Sequence, residues 1–330
     1  MAYTTIDDPT AYFQAKTYTG NAGTNAITND GNSDLSPNWI WFKMRSNADN
    51  HTLFDTVRGV YKRIFSNLTQ AQGTENTSLT AFGTNGFTLG SDGLANANSK
   101  TFVAWQWKES ATAGFDIVAH TGNSSNHTVA HSLAAVPEMM ISKNLSATSQ
   151  WQIYTKAVGN TKALQLGGTG GPDTSSTYYN NTSPTSSVFT VGTDTGTNGN
   201  GNDMIVYLFR SVKGFSSVGN TYVGNGNANG QFIYLGFKPA FVMVKRTGSG
   251  SGSWWMRDNK IAPFNVASNV LVANSDGAQT DGVGQMDFVS NGFKLRDTTD
   301  ASNGSGSTYF YMAFAEQSIV SSTAVPATAR

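Results

Sequence analysis

Apolar residues in this chain fall in short runs separated by Gly, Asn, Thr and Ser, and one such run occurs three times. Pro37-Asn38-Trp39-Ile40-Trp41-Phe42-Lys43 is matched by Pro137-Glu138-Met139-Met140-Ile141-Ser142-Lys143 and by Pro239-Ala240-Phe241-Val242-Met243-Val244-Lys245. Each copy is a proline, an apolar run and a lysine six residues after the proline, and the prolines stand 100 and 102 residues apart. In Trp39 to Met44 apolar side chains fall on both faces of an extended segment. This predicts a strand covered on both sides, by an opposing sheet and by a neighbouring domain or subunit. Pro37 sits at the start of that strand, where its missing N–H costs little.

Three further landmarks keep the same order. Tyr18-Thr19-Gly20-Asn21 recurs as His120-Thr121-Gly122-Asn123 and Tyr222-Val223-Gly224-Asn225. Asn85-Gly86-Phe87-Thr88-Leu89 matches Ser187-Val188-Phe189-Thr190-Val191 and Asn291-Gly292-Phe293-Lys294-Leu295. Each unit closes on an aromatic strand: Phe102 to Trp107, Met204 to Phe209 and Tyr309 to Phe314. Four landmarks in one order define three tandem units of about 100 residues, the usual size of a domain with one core. The period exceeds that of a solenoid, so the units are expected to be beads, each with its own core.

Short strands with turn residues between them predict an all-β chain of three tandem β-sandwiches, jelly-roll or concanavalin-like. A lead-in over residues 1–12 precedes repeats at 13–110, 114–213 and 214–317, and a small polar tail covers 318–330. One segment tests this reading, because Leu53, Val57, Tyr61, Ile64 and Leu68 fall at helical spacing. The equivalent residues Lys162 to Gly167 and Asn269 to Asn274 alternate or run β-branched, and Pro263 lies upstream in the third copy. Strand is therefore predicted there.

Charge narrows the function classes. With 21 basic and 21 acidic residues the formal net charge is zero, and charged residues are 13% of the chain, about half the usual share. No basic field is available to hold nucleic acid or an anionic membrane, and no apolar run is long enough for a membrane helix. The absence of cysteine removes disulfides and thiolate chemistry. Met1 to Asp8 is acidic and lacks an apolar segment, so synthesis in a cytoplasm without a secretory signal is expected.

Candidates for chemistry are few. Asp30, Asn32 and Asp34 place oxygen ligands at alternate positions, as a calcium loop does, but Leu35 and Trp41 stand where its glycine and acidic residue belong. An ordinary turn is the better reading. His120, His127 and His131 lie close together, and the last two have the spacing of a zinc helix. Thr128 replaces the expected Glu, which favours polar loop histidines. No nucleophile turn, phosphate loop or repeated carboxylate suggests catalysis, and no cofactor is implied.

Aromatic residues are the stronger feature. Trp39, Trp41, Trp105 and Trp107 lie on strands and are expected in the core or an interface. Trp254 and Trp255 follow a Gly/Ser run and, as strand neighbours, point to opposite faces. One of the pair is expected to be exposed, and the two are the candidates for contact with a ligand.

Met1 to Pro9, the Tyr-Thr-Gly-Asn turn, Pro37 to Arg45, His51-Thr52-Leu53-Phe54-Asp55-Thr56-Val57-Arg58-Gly59, Asn85-Gly86-Phe87 and Val103-Ala104-Trp105-Gln106-Trp107 together resemble a domain recurrent in marine tailed bacteriophages. Proteins carrying it are described as virion structural or tail-fibre-like, sometimes as concanavalin-like lectin or glucanase domains. The resemblance is close over residues 1–109 and looser beyond, where the His-x-Leu-Phe-Asp-x-Val-Arg-Gly segment is lost. It implies a virion component, with a tail fibre or other host-contacting appendage as the leading role and a capsid decoration or cement protein as the alternative. A polysaccharide-active enzyme is the least supported reading. Partners are then other virion proteins, further copies of the chain, with a trimer as the usual fibre arrangement, and a host surface glycan.

Overall fold

The computed structural model describes residues 3–248 and 250–320. The chain is almost entirely antiparallel β. In the first repeat the strands Phe13–Thr19, Thr101–Trp107, Trp39–Met44 and Thr52–Asp55 lie side by side in that order. The second repeat repeats the order with Phe115–Thr121, Asp203–Phe209, Met139–Asn144 and Gln152–Thr155. The third does so with Ser216–Val223, Thr308–Ser318, Phe237–Arg246 and Trp255–Asp258. We call these the opening, closing, central and third strands of each sheet.

A smaller sheet lies over each large one. It pairs Asn25–Thr28 with Gly86–Leu89, His127–Ala130 with Val188–Val191, and Phe232–Tyr234 with Gly292–Leu295. The two layers make the sandwich, and strand alternation shares out the side chains. Ile40, Phe42 and Met44 point at the small sheet, where they meet Tyr18, Phe87, Leu89 and Phe102. Met140 makes the corresponding layer with Tyr154, Phe189 and Val191.

The opposite face of the central strand explains its two-sided apolar pattern. Trp39, Trp41, Trp105 and Trp107 are buried in an apolar cluster that draws on all three repeats, including Ile141, Ile153, Tyr207, Phe209, Phe241 and Phe314. The Trp39 ring stacks on Tyr207 at 4.5 Å, and Phe13 stacks on Phe314 at 5.1 Å. Trp107 and Phe209, which end equivalent closing strands, both meet the equivalent Phe314, at 5.7 and 6.0 Å. The first two repeats therefore keep sandwich cores of their own, and all three also meet in a common cluster. The covering layer over each tryptophan strand is another repeat of the same chain.

The recurring Gly-Asn turn also has a local cause. Asn96, Asn198 and Asn303 are fully buried, and their side-chain amides clamp the turns that hold Asn21, Asn123 and Asn225. The approach is so close that a Cβ at Gly20, Gly122 or Gly224 would stand 2.1, 2.2 or 2.5 Å from the carbonyl oxygen of Ala97, Gly199 or Gly304. Glycine is required there by contact in all three copies.

The segment with helical spacing forms Thr52–Asp55, a turn and the short strand Lys62–Arg63. Tertiary pairing, which joins Leu53 to Ile64, outweighs the local periodicity. The lead-in contains a short 3-10 turn, Pro9–Ala11, capped by Asp8. Of the tail, residues 321–330 lie outside the described residues, and Ser318 belongs to the closing strand.

A core shared in this way predicts that the three repeats unfold together. Calorimetry should show one cooperative transition, and residues 114–213 expressed alone should lack a folded baseline, since the outer apolar face of their large sheet is covered by the other repeats. Three resolved transitions, or a stably folded isolated repeat, would count against the shared core.

Candidate functional site

Polar contacts at the boundaries between repeats are built three times over. Lys43, Lys143 and Lys245 are fully buried, and each ammonium is satisfied by carbonyl oxygens. Lys43 donates to Met44 O at 2.7 Å and to Asp276 O at 3.1 Å. Lys143 donates to Asn144 O at 2.8 Å and to Thr69 O and Ser149 O at 3.2 Å. Lys245 donates to Thr169 O at 2.9 Å, Gly170 O at 2.8 Å and Gly252 O. Burial pulls all three ammonium groups down to about 8. The first repeat thus reaches the third, the second the first, and the third the second, which closes a ring.

The residue immediately before each third strand follows the same circuit. His51 Nε2 bonds Val272 O at 3.0 Å, Trp151 Nε1 donates to Phe65 O at 2.8 Å, and Trp254 Nε1 donates to Gln165 O at 2.9 Å. Trp41 Nε1 donates to His51 Nδ1 at 2.8 Å, so the imidazole is neutral with its proton on Nε2. Burial and then the Lys43 charge hold His51 well below its ordinary pKa. Two boundaries carry a buried carboxylate as well. Trp105 Nε1 donates to Asp258 at 2.8 Å, and the equivalent Tyr207 hydroxyl donates to the equivalent Asp55 at 2.7 Å. Met312 and Thr155 occupy the third pair of positions.

Trp254 is fully buried by these contacts and has no face to offer a ligand, which corrects the expectation for that residue. Trp255 is partly buried, with the Arg257 guanidinium over its ring at 5.4 Å. Asp30, Asn32 and Asp34 are exposed and do not converge. Asp30 sits between Lys16 at 3.1 Å and Lys260 at 2.9 Å, while Asp34 accepts from Asn85 at 2.7 Å. Partial burial pushes the Asp30 carboxyl up, but the bonds to Lys260 and Lys16 outweigh it and hold the group below its usual value. Among the described residues no group of three or more His, Asp or Glu is placed to hold a metal ion.

His120, His127 and His131 serve the second repeat's own structure. His127 and His131 bond the carbonyls of Ser125 and Thr185. His120 stands where the other copies have Tyr18 and Tyr222, whose hydroxyls donate to Ala95 O and Ser302 O at 2.7 Å. Burial, with the nearby His127, pulls His120 down to about 4.

Two surface features remain as candidate sites. A recess of about 420 Å³ at the boundary of the first and third repeats is lined by Asp8, Gln14, Asp30, Asn32 and Lys260 among others. Its polar groups largely bond one another, as Ser33 Oγ does with Asp8 and Gln14 with the carbonyls of Thr10 and Ser33. The second feature is the outer face of the third small sheet. There Phe232 and Tyr234 are 46% and 58% exposed, alternating with the buried Ile233. The outward positions of the equivalent strands carry Ala26 and Thr28, and Thr128 and Ala130. The Tyr234 hydroxyl lies 3.2 Å from that of Tyr3, which donates to Gly236 O. This face went unnoticed in the sequence, although aligning the three copies of the strand exposes it.

A family model described as a domain of unknown function, DUF7483, matches residues 8–318, spanning all three repeats. The chain belongs to the DUF7483 family. No curated protein matches its sequence. In this DUF7483 chain Asp55, Asp258 and His51 are tied into hydrogen bonds across the repeat boundaries, and two measurements follow. Tyr207→Phe removes a hydrogen bond to the buried Asp55 carboxylate and should cost about 1–3 kcal/mol in denaturant unfolding. His51 and His120 both have depressed pKa values, so the unfolded chain takes up protons near pH 6.5 that the folded chain refuses. Stability should fall as pH drops below about 6.5. His51→Gln should lower the midpoint at neutral pH and flatten this acid slope, and His120→Tyr should flatten it while restoring the bond made by Tyr18 and Tyr222. Slopes unchanged in both variants would assign the acid sensitivity to other groups.

Proposed function

We propose that this chain is a structural component of a tailed-phage virion, part of a tail fibre or another host-contacting appendage. The observation that carries the reading is the set of motifs in the first repeat that resemble the phage domain. The three repeats, closed into a ring by equivalent contacts, support it further. A single chain with internal threefold organisation suits attachment on the axis of a threefold shaft. Its apolar tryptophan strands are used up inside the chain, so contacts with further copies or other virion proteins fall on other surfaces. Asp55 and Asp258 are each tied to a ring of another repeat, which favours a binding and structural part over a catalyst.

The first test is to locate the protein on intact virions with an antibody against the third repeat, read by electron microscopy. Label at the tail or its fibres is the expected result. Label spread over the head would transfer the function to capsid decoration, and unlabelled particles would remove the virion reading.

A further inference from the structure

The fold itself does not require large rings on the outer face of the third small sheet. The same strand in the first repeat, Asn25–Thr28, pairs with Gly86–Leu89 in the same register as Phe232–Tyr234 with Gly292–Leu295. Its outward residues are Ala26 and Thr28, and the second repeat uses Thr128 and Ala130. Exposing Phe232 and Tyr234 forgoes apolar burial and brings no packing in return. Residues two apart on one strand stand about 6.7 Å apart, so the two rings form a short platform.

Positive charge borders the platform. Lys294 is directly opposite Phe232 in the register, where the other repeats have Thr88 and Thr190. Its ammonium donates to Gly230 O at 2.6 Å, which uses one of three donors. At the other end the Lys213 ammonium lies 4.4 Å from the Tyr3 ring, and Tyr3 is bonded to Tyr234. The one carboxylate on the same row, Asp287, is neutralised by Arg296 at 2.5 Å. The Tyr234 ring is tethered before any ligand arrives, since its hydroxyl bonds that of Tyr3, which donates to Gly236 O.

We propose that Phe232, Tyr234 and Lys294 form a binding site for an acidic oligosaccharide, whose sugar faces lie on the rings and whose carboxylates meet Lys294 and Lys213. The assignment rests on the host-contact reading for its biological setting, while the binding is a property of this face alone. Two rings, with Lys294 and Gly292 opposite them on the paired strand, are far smaller than the roughly 800 Å² that each partner of a stable protein pair buries. The surplus positive charge favours an anionic ligand, and the neutral chain as a whole disfavours a nucleic acid.

The test uses the full chain titrated with hexagalacturonate, with cellohexaose as the neutral control, by calorimetry. The double variant Phe232→Ala with Tyr234→Thr and the single variant Lys294→Thr copy the residues of the first repeat, so each is expected to fold. Hexagalacturonate should bind saturably and more weakly as salt is raised. The double variant should bind about tenfold more weakly or not at all, and Lys294→Thr should show a shallower salt dependence, with Lys213 supplying what remains. No binding to the parent chain, equal affinity for cellohexaose, or full affinity in the double variant would each overturn the proposal. A concentration-dependent dimer abolished by the double variant would overturn it too, assigning the face to a second copy. None of these outcomes depends on where the protein sits on a virion.

Discussion

Burying three lysines at the boundaries between repeats constrains the whole structure. An ammonium removed from water costs several kcal/mol unless its donors are met, and each of the three draws at least one of its accepting carbonyls from another repeat. Asp276 O accepts from Lys43 and from the Asp49 N–H, Thr69 O from Lys143 and the Ser149 N–H, and Thr169 O from Lys245 and the Gly252 N–H. Each repeat is incomplete without its neighbour's loop, and the circuit closes only when all three are folded.

The same boundaries bury the aromatic strands. Trp39, Trp107, Phe209 and Phe314 each contribute on the order of 1.5–3 kcal/mol by leaving water, and a single repeat could not collect that gain. Apolar burial supplies the driving force, and the lysine, His51, Trp151 and Trp254 hydrogen bonds fix which surfaces meet. Where two copies carry a ring donor, Trp105 or Tyr207, the facing position is an aspartate. In the third, Met312 goes with Thr155. Polar partners within the boundaries thus change together.

What recurs among the copies is taken up by the fold, and what differs at Phe232 and Tyr234 is left facing solvent. Recurrent residues such as Asn96, Asn198 and Asn303 are consumed in holding turns. Phe232, Tyr234 and Lys294 depart from their equivalents at solvent-facing positions, where the fold asks for nothing. Trp254 shows why a large aromatic ring in a loop-rich neighbourhood is a poor guide by itself. It immediately precedes a strand as His51 and Trp151 do, and its indole N–H binds the neighbouring repeat.

Much of the architecture was legible in the chain: strand alternation in Trp39 to Met44, the Gly-Asn turns, the aromatic closing strands and the threefold recurrence all follow from local pattern. Comparing copies also favoured strand over helix near Lys62 to Asn67, where the chain forms the short strand Lys62–Arg63 between turns. The sequence could not say what covers the second face of the central strand. A two-sided apolar strand is equally satisfied by a subunit, a separate domain or a repeat of the same chain, because burial is non-directional. Nor could it assign partners to Lys43, Lys143 and Lys245, which bond backbone carbonyls, and a carbonyl leaves no mark in the sequence. Local periodicity determined the strands; only tertiary packing decided the order in which they pair, that the repeats meet in a common cluster, and which rings remain in solvent.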